Sequence, residues 1–254
     1  MTRFSANLGF LWTELSLPDA IRAAQAAGFE AVECHWPYDT PPEDVAAALA
    51  DTGLPMLGLN TRRGDLRAGE TGLAALVGRT EAARAAIDEA LAYAAAIGAG
   101  AVHVMAGKAQ GAAARAVFAD NLRHACAQAS DTGRMILIEP LNAHDAPGYF
   151  LNNTAQAADL IAEIGAPNLR LMFDCYHVGR TEGDVIAQLT ALWPLIGHIQ
   201  FAAVPDRGPP DHGQVDYAVV FAELARLGWN RPLGAEYRPM GTTEESLGWM
   251  GHLR

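Results

Sequence analysis

The feature that most constrains this chain is a strict alternation of eight short apolar runs with longer segments of helical periodicity. The runs are FSANLGFL (4–11), EAVECHW (30–36), LPMLGLN (54–60), AVHVMAG (101–107), MILIEPL (135–141), LRLMFDC (169–175), IGHIQFA (196–202) and LGAEYR (233–238). Helical patterns lie near 18–28, 41–52, 80–98, 112–132, 154–164, 182–192, 215–227 and 243–250. Asp19, Glu43 and Asp44 put acids near helix starts, where the dipole favours them. Gly28, Gly53 and Gly98 follow helix ends. A repeated strand-then-helix order implies a parallel sheet with helical crossovers. Periodicity leaves the spatial order of the strands open, but eight units in 254 residues favour a closed (β/α)8 barrel with outer helices over an open doubly wound sheet. No Pro/Gly/Ser linker divides the chain, so 1–254 reads as a single domain. The one long irregular stretch, TRRGDLRAGETGLAALVGR (61–79), is a candidate lid.

Composition narrows the function. Half of the residues are apolar (50%), which excludes a disordered chain. A net charge of -11 argues against a nucleic-acid partner, because phosphate binding needs a basic face. Cys34, Cys126 and Cys175 form no CxxC pair and suit a reducing compartment. The start, MTRFSANLGF, lacks a secretory pattern, and no apolar stretch approaches a bilayer span. The expectation is a cytoplasmic protein that takes a small molecule, with neither membrane nor nucleic acid as partner; a homo-oligomer is left open.

In a barrel the chemistry sits at the C-terminal strand ends. Polar residues late in apolar runs are therefore the candidates: Glu139 in ILIEP, Asp174 in LMFDC, His198 and Gln200 in GHIQFA, and Glu236 in GAEYR. They come from strands five to eight, which are neighbours in a closed sheet. Converging carboxylates repel unless protonated or bound to a cation. Carboxylate and amide oxygens suit Mg²⁺ or Mn²⁺ better than Zn²⁺. The alternative is that each is an ordinary rim residue.

At these residues the chain is similar to the hydroxypyruvate isomerase family, within the xylose isomerase-like barrels. The likeness is carried by RFSANL (3–8), GFEAVE (28–33), GDLRAGETGLAALVGR (64–79), IEPLN (138–142), PGYFL (147–151), FDCYH (173–177), GHIQ (197–200), AEYRP (235–239) and TTEESLGWM (242–250). The resemblance implies a divalent metal on Glu139, Asp174, Gln200 and Glu236, with Glu139 and Glu236 as the acid–base pair. It further implies isomerisation of hydroxypyruvate to tartronate semialdehyde, or of a 2-oxo-tetronate, through an enediolate. The chain departs from the family at FAAVPDRG (201–208), where Ala203 and Val204 replace polar residues, and at Leu66, where Trp is common. Both changes bear on substrate identity.

Further candidates stand on the same rim. His177, three residues after Asp174 at the start of the loop past strand six, can orient a ligand or donate to substrate. Lys108, Arg62, Arg63 and Arg207 are cations for a substrate carboxylate, with Lys108 preferred because its strand adjoins that of Glu139. Trp12, Trp36 and Tyr38 can wall the pocket, with core packing as the plainer reading. His198 is expected as a packed interior residue or a direct participant, His103 as core, and His124 as uninformative. Three rival functions are a ketose 3-epimerase, which usually has His in place of Gln200, an abasic-site endonuclease, and a barrel that binds without catalysis.

Overall fold

The computed structural model describes residues 2–254. Eight parallel strands, β1 (Phe4–Asn7), β2 (Ala31–Glu33), β3 (Leu59–Asn60), β4 (Ala101–His103), β5 (Met135–Ile138), β6 (Leu169–Asp174), β7 (Ile196–Phe201) and β8 (Leu233–Ala235), pair in the order β2-β1-β8-β7-β6-β5-β4-β3. Between β2 and β3 the seam is thinner: one bridge joins Val32 to Met56, and backbone bonds run from Val32 to Pro55, from Leu57 to Val32 and from Cys34 to Gly58. The sheet is thus a nearly closed barrel, as the alternation predicts. Within the expected run 54–60, β3 proper is only two residues long.

The helices are α1 (Leu17–Ala26), α2 (Pro42–Thr52), α3 (Thr80–Ile97), α4 (Gly111–Ala129), α5 (Thr154–Ile164), α6 (Cys175–Thr181), α7 (Val185–Leu192), α8 (Tyr217–Arg226) and α9 (Met250–Leu253). Side-chain caps explain several starts: Ser16 accepts from the Asp19 N–H, Asn153 from Gln156 and Asp216 from Ala218. Gly53 and Gly98 end α2 and α3 in the left-handed conformation, as expected. Two expectations need correction. A helix, α6, begins directly after β6, so His177 is helical and not in a loop. The last segment is a 3₁₀ turn (Glu244–Trp249) leading into the short α9.

The main core lies between sheet and helices, built on Phe4, Phe201, Phe221 and Trp249. A second, small cluster of Ala101, Leu137 and Met172 fills the barrel interior. Strand side chains repeat with period two. One step further along the same strands therefore come His103, Glu139 and Asp174, all buried and all on the inner face. The apolar floor and the polar mouth are successive layers of one alternation. Segment 61–79 carries neither helix nor strand and is pinned to the end of β4: Gly72 bridges Ala106, and the N–H groups of Ala74 and Ala75 donate to Met105 and Ala106. No helix among the described residues is long and apolar enough to cross a membrane.

Candidate active site at the C-terminal mouth of the barrel

Each of the four expected ligands is buried at this mouth. Asp174 ends β6 and pairs in register with Gln200 on β7, while Glu139 and Glu236 lie one residue beyond β5 and β8. Asp174 also caps α6, its Oδ1 accepting from the Tyr176 N–H at 2.8 Å. Its Oδ2 has no partner, and neither do Glu139 Oε1 and Gln200 Oε1. A buried acceptor left unpaired costs roughly 1–3 kcal/mol, so three together point to a missing cation or donor.

Glu236 is in a different state. Its Oε1 accepts from Asn7 Nδ2 at 2.9 Å and lies 2.9 Å from His35 Nε2; its Oε2 lies 2.5 Å from Arg207 Nη2. Arg207 is itself buried, with Asp174 at 3.8 Å and Asp145 at 3.7 Å, and stacks on the Phe10 and Tyr176 rings at 4.7 and 5.0 Å. It holds φ = 60°, a left-handed conformation unfavourable for a side-chain-bearing residue. The turn from Ala203 to Gly208 sustains it: the Arg207 N–H donates to Ala203 O, the Ala203 N–H to Gly208 O, and the Arg238 N–H to Arg207 O.

Protonation follows these contacts. Burial, with Glu236 and Asp174 nearby, raises Glu139 well above the usual carboxylate range. Burial and then Glu236 push Asp174 up to about 7. For Glu236 burial acts in the same upward direction, but Arg207 and His35 outweigh it and hold the carboxyl well below its ordinary value. Without a metal, the β5–β6 wall favours protons and Glu236 stays ionised.

His177 Nε2 lies 3.6 Å from Asp174 Oδ2 and 3.8 Å from Glu139 Oε1. One ligand atom from each of these three residues fits within a 4.8 Å cluster, a geometry compatible with an ion. The ring's tautomer argues otherwise for His177. Its Nδ1 accepts from the Asn142 backbone N–H at 3.0 Å, an unambiguous donor, and burial lowers its pKa to about 3. A neutral ring accepting at Nδ1 carries its proton on Nε2, so that atom donates and does not ligate. The unpaired oxygens of Glu139, Asp174 and Gln200 are hard donors of the kind that suit a divalent cation, with the engaged Glu236 carboxylate beside them.

The other candidates scatter. Lys108 is exposed, whereas Arg207 is buried among the carboxylates and paired with Glu236. Trp12 is buried against Phe29, with its indole N–H donating to Glu244 at 2.6 Å, which is the packing role. Arg62 pairs with Glu89, and Arg63 stacks on Trp36. His103 is buried but not inert, lying 3.7 Å from Glu139. His198 is a hydrogen-bonded interior residue, 2.5 Å from Glu33. His124 meets Asp88 on the surface. Ala203 and Val204 are fully buried in the turn that carries Arg207.

Sequence reasoning missed Asn7, Glu33 and His35. The signal was present: Glu33 and His35 alternate in EAVECHW, and Asn7 closes the first strand. Gly9 makes room for this wall, since a Cβ there would come within 2.1 Å of the His35 ring.

Comparison with known proteins agrees with this geometry. The family model described as xylose isomerase-like TIM barrel matches residues 21–253. The chain is 43% identical to 2-oxo-tetronate isomerase of Cupriavidus necator, covering 98% of each chain. It is 36% identical to hydroxypyruvate isomerase of Escherichia coli over 100% of both. A crystal structure described as AP endonuclease, family 2, from Brucella melitensis superposes with a TM-score of 0.96 at 35% identity over 100% of both chains.

Proposed function

The chain belongs to the xylose isomerase-like TIM barrel family and, within it, to the hydroxypyruvate isomerase group; from that premise we propose that it is a metal-dependent isomerase of a small 2-oxo acid, hydroxypyruvate or a 2-oxo-tetronate. The observation that carries the reading is a pair of buried glutamates in opposite surroundings: Glu236 is engaged by Asn7, His35 and Arg207, while Glu139, with Asp174 and Gln200, keeps an orphaned oxygen. Two titratable groups whose surroundings drive their pKa values apart are suited to divide donor and acceptor roles.

Glu139, Asp174, Gln200 and Glu236 are the residues that would hold Mg²⁺ or Mn²⁺. Such an ion would supply electrostatic stabilisation to an enediolate formed from the carbonyl and the neighbouring hydroxyl. Glu236, held ionised by Arg207 and His35, takes the proton from the hydroxyl-bearing carbon. Glu139, on the opposite wall, returns a proton to the adjacent carbon, and the hydroxyl proton passes to the former carbonyl oxygen. His177 donates Nε2–H to a substrate oxygen. Arg207 keeps its Nε without a partner while paired to Glu236, so a donor remains for the substrate carboxylate. Trp36, stacked under Arg63, packs beside the His35 ring that contacts Glu236.

The endonuclease description of the Brucella protein does not favour nucleic acid for this chain, whose net charge is -11. A turnover panel of hydroxypyruvate, 2-oxo-tetronates and free ketoses with Mg²⁺ or Mn²⁺ tests the proposal. Turnover of the acids is expected; a preference for free ketoses would transfer the assignment to an epimerase.

A further inference from the structure

Beside the carboxylates lies a polar cluster that the proposed chemistry does not use, and Glu33 is its centre. Its carboxylate accepts from Ser5 Oγ at 3.3 Å, Asn7 Nδ2 at 3.0 Å and Gln200 Nε2 at 2.8 Å, and His198 Nε2 lies 2.5 Å away. Four donors converge on one buried acid.

A primary amide presents an oxygen at one end and a nitrogen at the other, and only a fixed partner decides which end faces a site. For Gln200 that partner is Glu33. A carboxylate only accepts, so Nε2 faces Glu33 and the unpartnered Oε1 is left for the mouth. Asn7 is settled in the same manner. The Gly9 N–H donates to Asn7 Oδ1 at 2.9 Å, which turns Nδ2 toward both Glu33 and Glu236. The barrel wall is hollowed for this contact: a Cβ on Gly234 would lie 2.6 Å from Glu33 Oε1 and 2.8 Å from Gln200 Cγ.

We infer that Glu33 is the positioning residue of the metal centre, fixing the Gln200 amide so that its oxygen is the donor and, through Asn7, fixing the Glu236 carboxylate. The inference rests on the metal reading proposed above. Glu33 touches neither substrate nor metal; its effect passes through Gln200 and Asn7.

The test is a Mn²⁺ titration of the full chain, with free Mn²⁺ read by electron paramagnetic resonance and a metal-free thermal melt run alongside. Three proteins are compared: the parent, Glu33→Gln, and the swap Glu33→Gln/Gln200→Glu. Glutamine at 33 cannot accept from every donor around it and releases the Gln200 amide to turn. Loss of an orienting partner weakens metal binding roughly 10–100-fold, and that is the loss expected for Glu33→Gln. The swap conserves net charge and puts oxygens at both ends of residue 200, with the new amide as donor. It restores an oxygen at 200 but no acceptor for Asn7, so binding should recover only in part, to roughly threefold or more above Glu33→Gln, which a purely structural defect would not do. Glu33→Gln binding within about twofold of the parent, or a swap no better than the single variant, would overturn the inference. A parent that takes up no Mn²⁺ removes the metal reading itself, and with it this role. If Glu33→Gln does not fold, Glu33→Asp, which keeps the charge but withdraws it from Gln200, carries the same two outcomes.

Discussion

On the β8 side of the mouth, Glu236 has both oxygens engaged by the chain's own donors, Asn7, His35 and Arg207. On the β5–β6 side, Glu139 and Asp174 are equally buried, yet each keeps an oxygen with no partner. Residue type and burial are alike, so the difference in protonation comes from the neighbours. One wall is compensated internally and stays ionised. The other awaits compensation from outside, by protons or by a cation. A site built in two such halves sets an internally compensated carboxylate beside unpaired oxygens suited to a cation.

The contrast breaks most severely when either glutamate is neutralised. Glu139→Gln and Glu236→Gln should each lower kcat/KM by about 10³-fold, the scale of lost general acid–base catalysis. Steady-state assays on hydroxypyruvate or a 2-oxo-tetronate check this.

Next in size is Arg207→Ala, expected to cost about 10²-fold. The pH profile sharpens its meaning. Arg207 holds Glu236 below the usual range against burial, so its removal raises the Glu236 pKa. Activity that needs ionised Glu236 is lost as pH falls through that pKa. The acid limb of kcat/KM should therefore move to higher pH in the variant, and an unmoved limb would break the link between Arg207 and Glu236.

Stability tests the uncompensated wall. Burial, then Glu236, pushes Asp174 up to about 7 in the folded protein. An acid with a raised folded pKa keeps its proton longer when folded, so metal-free stability falls as pH rises from roughly 4 to 7 and then levels. Asp174→Asn escapes that penalty while keeping an oxygen to cap α6. Its Tm advantage over the parent in chelator should grow across this window, to on the order of 5 °C. Saturating Mn²⁺ should reverse the order. The smallest effect belongs to Lys108→Ala: an exposed cation on the rim should change KM by about twofold to threefold with kcat intact, by the modest worth of solvated charges.

Much of this was legible because a barrel writes its architecture as alternation. The strand-and-helix order and the late polar residues of β5 to β8 are one-dimensional patterns, and Glu139, Asp174, Gln200 and Glu236 are each buried toward the C-terminal ends of these strands. What escaped depends on three dimensions. Helix α6 begins on Asp174 itself, so the residue that ends a strand also caps a helix, and FDCYH looks like a strand running into a loop. In the sequence Lys108 and Arg207 are both rim cations, with Lys108 preferred for the strand it follows. The burial of Arg207 was not readable, because it comes from a turn that holds the residue at positive φ and places it over the Phe10 and Tyr176 rings. Glu33 and His35 were readable by the same period-two rule, but their run reads as a plain strand until β2 is seen beside β1 and β8.

The central claim, proton transfer between Glu236 and Glu139 supported by a divalent ion, is tested most directly by NMR of hydroxypyruvate incubated in D₂O with the protein and Mg²⁺. Deuterium should enter at the hydroxyl-bearing carbon with the parent protein, and should fail to enter with Glu236→Gln or after chelation. Exchange that persists at the parental rate in Glu236→Gln, or that ignores the chelator, would contradict the account.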